Sequence, residues 1–202
     1  MLVHAVHALA QARLVEIVVV AAPPDGRAGV AALLAAYDVP ADVRVVAGGA
    51  TRQESVATAL AALPPDVGLV LVHDAARPLA PSELADAVVA ALRAGAQAVV
   101  PGLAVADTVK RVDAAGTVTE TVPRDELRAI QTPQGFRRDV LAAAHEAAGA
   151  DVATDDAGLV ERLGRPVTVI PGHPEAFKVT RPLDLVLADA LLARQRAGTV
   201  GR

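Results

Sequence analysis

Residues 69–78 read LVLVHDAARP. Four aliphatic side chains run unbroken into His73, Asp74 and Arg77, and Pro78 stops the run. Such a run predicts a strand in a dry interior. In open α/β sheets, ligands sit beyond the carboxyl ends of the strands, and Asp74 and Arg77 lie just past such an end. A plainer reading competes, in which Asp74 caps the next helix and Arg77 is a solvated surface charge. The rest of the chain weighs one against the other.

Strand and helix patterns alternate on both sides of this run. EIVVVAA (16–22) is β-branched and unbroken, which predicts a strand buried on both faces. Val30, Leu33 and Leu34 have helical spacing, VRVV (43–46) is a second strand, and TRQESVATALAAL (51–63) presents Val56, Leu60 and Leu63 on one helix face. After the strand GLVLV (68–72), PSELADAVVAALRAG (81–95) is a helix that opens on Pro-Ser and closes on Gly95, and AVVPG (98–102) is another strand. This order predicts right-handed βαβ units and a mostly parallel sheet with helices on both faces, a Rossmann-like α/β domain.

The pattern breaks at 107–123, DTVKRVDAAGTVTETVP, where short alternating segments flank a DAAG turn. This predicts a β-hairpin with little apolar area of its own. Such a hairpin packs on something else, and a second subunit is the expected partner. RAIQTPQGF (128–136) returns to strand and turn. Helices are expected near 138–148 and 155–163, strands at PVTVI (166–170) and AFKV (176–179), and a last helix from TRPLD (180–184) with Thr180 as its cap. Residues 1–202 form one domain on this reading, with 107–124 as a dimerisation arm.

Composition bounds the function. Hydrophobic residues make up 53% of the 202, so a sizeable core can be buried, but Tyr37, Phe136 and Phe177 are the only aromatics. With a net charge of −4 and no basic stretch, nucleic acid is not an expected partner. The absence of cysteine excludes disulfides, thiolate metal sites and a cysteine nucleophile, and fits a reducing cytoplasm. The apolar runs are too short for a bilayer, and MLVHAVHALA lacks the charged lead and cleavage site of a signal peptide.

Three more polar clusters follow predicted strands. GGATRQES (48–55) has paired glycines that allow close backbone approach to a ligand, followed by a helix start that offers free N–H groups and Ser55. Asp107 and Thr108 follow the VVPG strand. In FKVTRP (177–182), Lys178 interrupts an apolar strand. Each has a bland alternative: an ordinary turn, a hairpin entry, an edge lysine facing water. Together with Asp74 and Arg77 they set cations and hydroxyls around one rim, which suits an anionic, phosphorylated ligand with sugar hydroxyls. TDDA (154–157) can be read as a metal site or as an acid-rich helix start, and the latter is favoured. His4, His7, His145 and His173 have no partners at a telling spacing and read as surface or packing residues.

VVAGGATRQESV, LVHDAARP, ADTVKR, IQTPQGF, TDDA and FKVTRPLDL occur in the order that marks the 2-C-methyl-D-erythritol 4-phosphate cytidylyltransferases, and the chain resembles that family over nearly its whole length. The resemblance implies a nucleotidyltransferase domain that moves CMP from CTP to methylerythritol phosphate, releasing pyrophosphate, in non-mevalonate isoprenoid synthesis in the cytoplasm. It implies that Gly49, Ala50 and Ser55 face the cytosine, Ala50 through backbone alone. It places Asp74 and Ala75 against the ribose, with Asp74 also near the acceptor. It gives Arg77, Thr108, Arg124, Thr132 and Thr154 to the acceptor, with the arm that bears Arg124 shared across a homodimer. It assigns Lys178, with Arg124 and Asp74, to holding and aiming the acceptor phosphate. Mg²⁺ is implied on the CTP phosphates, with no protein metal ligand. Relatives of this kind open with a strand and a loop of the type A-A-G-x-G-x-R ending in P-K, which cradles the triphosphate. No such segment stands in the sequence given, so it is expected to be nearly inactive as it stands. Two rivals remain open: a ribitol-phosphate cytidylyltransferase and a non-catalytic nucleotide-binding or dimerisation subunit.

Overall fold

A computed structural model describes residues 1–149 and 154–199. The first half alternates as its hydrophobic periods demand: α1 (Leu2–Ala10), β1 (Ile17–Ala22), α2 (Arg27–Ala35), β2 (Asp42–Ala47), α3 (Arg52–Ala61), β3 (Leu69–Val72), α4 (Ser82–Arg93) and β4 (Ala98–Ala104). The second half adds β5 (Val109–Val112), β6 (Val118–Val122), β7 (Arg128–Ile130), β8 (Gln134–Arg137), α5 (Arg138–Ala148), α6 (Asp156–Arg162), β9 (Val167–Pro171) and α7 (Pro182–Thr199). No helix among the described residues is long and apolar enough to cross a membrane.

β4 is the spine. It pairs in parallel with β9 along one edge, and on the other edge it pairs antiparallel first with β8 and then with β7. β8 in turn pairs antiparallel with β3, so β3 and β4 run the same way with β8 between them. Side chains of β4 alternate between two helical layers. Ala98 and Val100 pack with α5 and α6 around Phe136, while Val99 packs with Val88 and Leu92 of α4. The backbone of Gly135 lets α4 lie directly on β8, since a Cβ there would come within 2.3 Å of Val88 Cγ1. Gly95 ends α4 at φ +111°, a conformation L side chains rarely adopt.

β1 and β2 form a separate parallel pair. Val18 and Val20 pack on α1 and α2 through Val6 and Leu34. Ile17, Val19 and Ala21 are only half-buried, which corrects the expectation that this strand is covered on both faces. Their surroundings explain it: β1 and β3 do not pair, and a cleft of about 700 Å³ separates them, walled by the two strands and lined by α1 and α3.

Two further expectations are corrected. AFKV (176–179) is not a strand: Pro174–Ala176 form a 3₁₀ turn, Ala176 is buried, and a single ladder-like bond, Val179 N–H to the Ala76 carbonyl at 2.8 Å, docks the segment. Thr180 does not cap the last helix with its own oxygen. Asp184 does so from the first turn, where its carboxylate accepts from Thr180 N–H and Arg181 N–H at 2.8 Å each and from the Thr180 hydroxyl. The hairpin β5–β6 forms as expected and, among the described residues, pairs only with itself.

Candidate active site

β3 ends at Val72, and the chain turns at once, with Arg77 N–H donating to the Asp74 carbonyl at 2.9 Å. The turn is held from beneath by His73. A carbonyl can only accept, so the Nε2 that lies 3.1 Å from the Arg77 carbonyl carries the ring proton. Nδ1 is then the acceptor for the Thr132 hydroxyl at 3.0 Å, and Thr132 Oγ1 in turn accepts Asp74 N–H at 3.1 Å. Thr132 is buried, so its hydroxyl reaches the site through Asp74. Burial pushes the His73 pKa down from 6.5 to about 4, against the opposing pull of the Arg77 carbonyl and the Asp74 charge.

A depressed histidine ties stability to pH. The unfolded chain takes up this proton as pH falls through about 6.5, and the folded chain resists until about 4. The contribution is complete above the upper value and is lost as pH falls through the window, on the order of 3 kcal/mol in all. Urea midpoints measured from pH 7.5 to 4 should fall more steeply for the wild type than for His73→Gln. Parallel curves would show that His73 is not the group responsible.

Asp74 is the centre of the rim. Lys178 Nζ lies 2.9 Å from Oδ2, Arg52 Nε 3.7 Å from Oδ1 and Arg77 Nε 4.0 Å from Oδ2. Desolvation alone would raise the Asp74 carboxyl, but the Lys178 hydrogen bond and the charges of Lys178, Arg52 and Arg77 outweigh it and hold the group below its ordinary value. The three cations differ in freedom. Arg77 is pinned, with Nη1 donating to the Ala176 carbonyl at 2.7 Å and Nη2 to that of Ile130 at 3.3 Å. The Lys178 side chain is 47% exposed and can leave Asp74 for an arriving anion.

The GGAT loop stands beside this rim. Its glycines permit close approach, though to the loop's own helix: a Cβ on Gly48 would meet Ser55 Oγ at 2.8 Å, and one on Gly49 would meet Glu54 Cβ at 2.2 Å. The Ser55 hydroxyl accepts Gly49 N–H and donates to the Thr51 carbonyl. Glu54 accepts from Ala50 N–H at 2.6 Å and completes a capping box with Thr51. Arg52 opens α3 and is the direct link from this loop to Asp74.

Asp74, Ala75, Arg77, Thr132 and Lys178 thus come together, and Gly49, Ala50 and Ser55 adjoin them through Arg52. Thr154 lies exposed just before α6. Thr108 and Arg124 stand apart at the base of the β5–β6 arm, where Arg124 Nη1 donates to the Ala106 carbonyl at 2.5 Å; neither touches Asp74 or Lys178 of its own chain. The sequence reading passed over Arg52, although it lies inside the quoted GGATRQES, and over Glu54, which the T-x-x-E spacing announces. His145, expected to be a surface or packing residue without a partner, has its Nε2 2.9 Å from the carboxylate of Asp156.

Comparison with known proteins converges on one family. A family profile described as 2-C-methyl-D-erythritol 4-phosphate cytidylyltransferase matches residues 1–194. A protein of that name from Streptomyces avermitilis is 58% identical over 97% of this chain and 81% of its own length. Another from Frankia casuarinae is 63% identical over 96% of this chain and 71% of its own. Among solved structures, the 4-diphosphocytidyl-2C-methyl-D-erythritol synthase of Anaerococcus prevotii superposes with a TM-score of 0.85 at 32% identity, covering 95% of this chain and 85% of that one.

Proposed function

The chain belongs to the 2-C-methyl-D-erythritol 4-phosphate cytidylyltransferase family, and from that premise we propose how the Asp74 rim serves the reaction. The reaction transfers CMP from CTP to 2-C-methyl-D-erythritol 4-phosphate, giving CDP-methylerythritol and pyrophosphate. An oxygen of the acceptor phosphate attacks the α-phosphorus in line, the bond to the β-phosphate breaks, and pyrophosphate leaves. Mg²⁺ would belong to the substrate, as Mg·CTP, and would offset phosphate charge, with no residue of the chain assigned as its ligand. Catalysis is positioning plus neutralisation of phosphate charge, with no covalent enzyme intermediate.

The observation that carries this reading is a half-exposed cation beside a carboxylate: Lys178 at 2.9 Å from an Asp74 that three cations keep ionised. An arriving acceptor phosphate draws Lys178 to itself, and Asp74 is freed to accept hydrogen bonds from sugar hydroxyls. Arg77 holds the turn and adds charge behind it. The N–H groups of Gly49 and Ala50 and the Ser55 proton are used within the loop, so what these residues offer the cytosine amino group is acceptors, the two carbonyls and the remaining Ser55 lone pair, with Ala75 exposed beside the ribose position. The proposed compartment is the cytoplasm, where CTP is made.

The arm supplies what the chain's own rim lacks. Val112 and Val118 pair across β5 and β6, yet each is 54% exposed, so the hairpin presents apolar area to a partner. A second copy docked there would bring Arg124 and Thr108 to the other subunit's Asp74 and Lys178. Light scattering should give twice the subunit mass, and a Val112→Asp/Val118→Asp double variant should give the monomer. A compact wild-type monomer at micromolar concentration would refute the arrangement.

The reaction itself is tested by ³¹P NMR of CTP mixed with methylerythritol phosphate or ribitol phosphate. Two versions are needed: residues 1–202, and the same residues preceded by a strand and Gly-rich loop of the family type, called here the extended chain. CDP-methylerythritol as the main product is the expected result. Preferred use of ribitol phosphate would move the assignment to that acceptor, and nucleotide binding with no product from either acceptor would favour a non-catalytic role.

A further inference from the structure

Asp156 is 1% exposed, and a carboxylate buried this deeply is expensive unless its charge is matched. An apolar side chain would fill the same place between α5 and α6. Two cationic or proton-donating groups meet it instead. His145 Nε2 lies 2.9 Å from Oδ1, and Arg52 Nη1 lies 2.7 Å from Oδ2. His145 is itself buried, and its partner lies on the next helix, so it braces the carboxylate from the core side. Oδ2 has no hydrogen-bond partner, so the Arg52 contact is an ion pair without ideal hydrogen-bond geometry, and the attraction that holds it is charge.

The other end of the Arg52 guanidinium faces the rim, with Nε 3.7 Å from Asp74 Oδ1. One planar group therefore spans two carboxylates from different parts of the fold, as the rigid fork of arginine allows and the point charge of lysine does not. Its side chain is 39% exposed and borders the mouth of the cleft, beside Ser55 and Lys178.

We propose that Asp156 is a positioning residue for the nucleotide: braced by His145, it anchors Arg52 beside Asp74, where the guanidinium meets the phosphate of a cytidine nucleotide seated on the Gly49–Ser55 loop. This rests on the nucleotide reading of that loop. Without the anchor, Arg52 still carries its charge but spreads over many rotamers, and a ligand must order it on binding. The nucleotide side of the site therefore suffers and the acceptor side, held by Lys178, does not.

The test is calorimetric titration of residues 1–202 with CMP and, separately, with methylerythritol phosphate. CMP presents only the base, ribose and α-phosphate that this part of the site is assigned. Asp156→Asn and Arg52→Ala should each weaken CMP binding about tenfold, the double variant should do no worse than either single, and the acceptor should bind within about twofold of wild type in all three. Arg52→Lys should bind CMP as poorly as Arg52→Ala. A wild-type CMP affinity in Asp156→Asn, or a matching loss of both ligands, would overturn the proposal and leave Asp156 a purely structural pair. Should Asp156→Asn fail to fold, the exposed Arg52 decides alone: wild-type affinity in Arg52→Lys overturns the anchor. A wild-type chain that binds no CMP at all would instead contradict the functional reading, and this inference with it.

Discussion

Lys178→Ala is expected to lower kcat/KM for methylerythritol phosphate in the extended chain by about 10- to 150-fold, the equivalent of roughly 1.5–3 kcal/mol for one charge-assisted hydrogen bond. CTP affinity should move by less than about threefold. The split follows from position. Lys178 rests on Oδ2 of Asp74 and is half exposed, while the nucleotide loop reaches Oδ1 through Arg52. Lys178→Arg should recover part of the loss, because a longer cation can still reach an acceptor phosphate. Unchanged kinetics with the acceptor would remove Lys178 from the site.

The second large effect concerns the cleft between β1 and β3. Each strand runs with one edge unpaired among the described residues, and the space between them is lined by α1 and α3. A strand placed there would pair with both edges and cover Ile17, Val19 and Ala21. We propose that the first strand and triphosphate loop implied by the family resemblance would take that position. Loss of one preorganised donor to developing charge costs about 100- to 1,000-fold in rate. The extended chain is therefore expected to release pyrophosphate at least about 100-fold faster than residues 1–202 alone, and to melt at a higher temperature. Equal rates would mean that other residues do the loop's work.

Local patterns carried much of this molecule. The unbroken run before His73, the helical spacing of Val56 and Leu60, and the DAAG turn each depend on neighbours within a few residues, so β3, α3 and the arm were legible. What failed was non-local. Nothing in QGFR announces that β8 will run antiparallel between β3 and β4, and the need for Gly135 shows only once α4 packs on it at close range. The alternation in AFKV resembles a strand, but Pro174 sets a 3₁₀ turn and Val179 N–H then docks on the Ala76 carbonyl in a loop, where no ladder can form.

The site divides along the same line. Asp74 and Lys178 were legible because charge at the end of, or within, an apolar run is out of place. Asp155 behaves as the acid-rich helix start suggests, accepting Gly158 N–H at 3.0 Å as the cap of α6. Asp156, one residue on, has a different fate because α6 turns it inward onto His145 of α5 and toward Arg52 of α3. Three helices must pack before that carboxylate has partners, and no spacing in the chain encodes it.

Direct transfer from CTP to the acceptor phosphate is the step on which the roles of Asp74, Lys178 and Arg52 all depend. It is tested most directly by giving the extended chain CTP made chiral at the α-phosphorus and reading the configuration of the CDP-methylerythritol formed. A single in-line displacement on the rim inverts that centre, and inversion is the expected result. Retention would require two displacements through a covalent enzyme–CMP intermediate, and would contradict a site built only to position and neutralise.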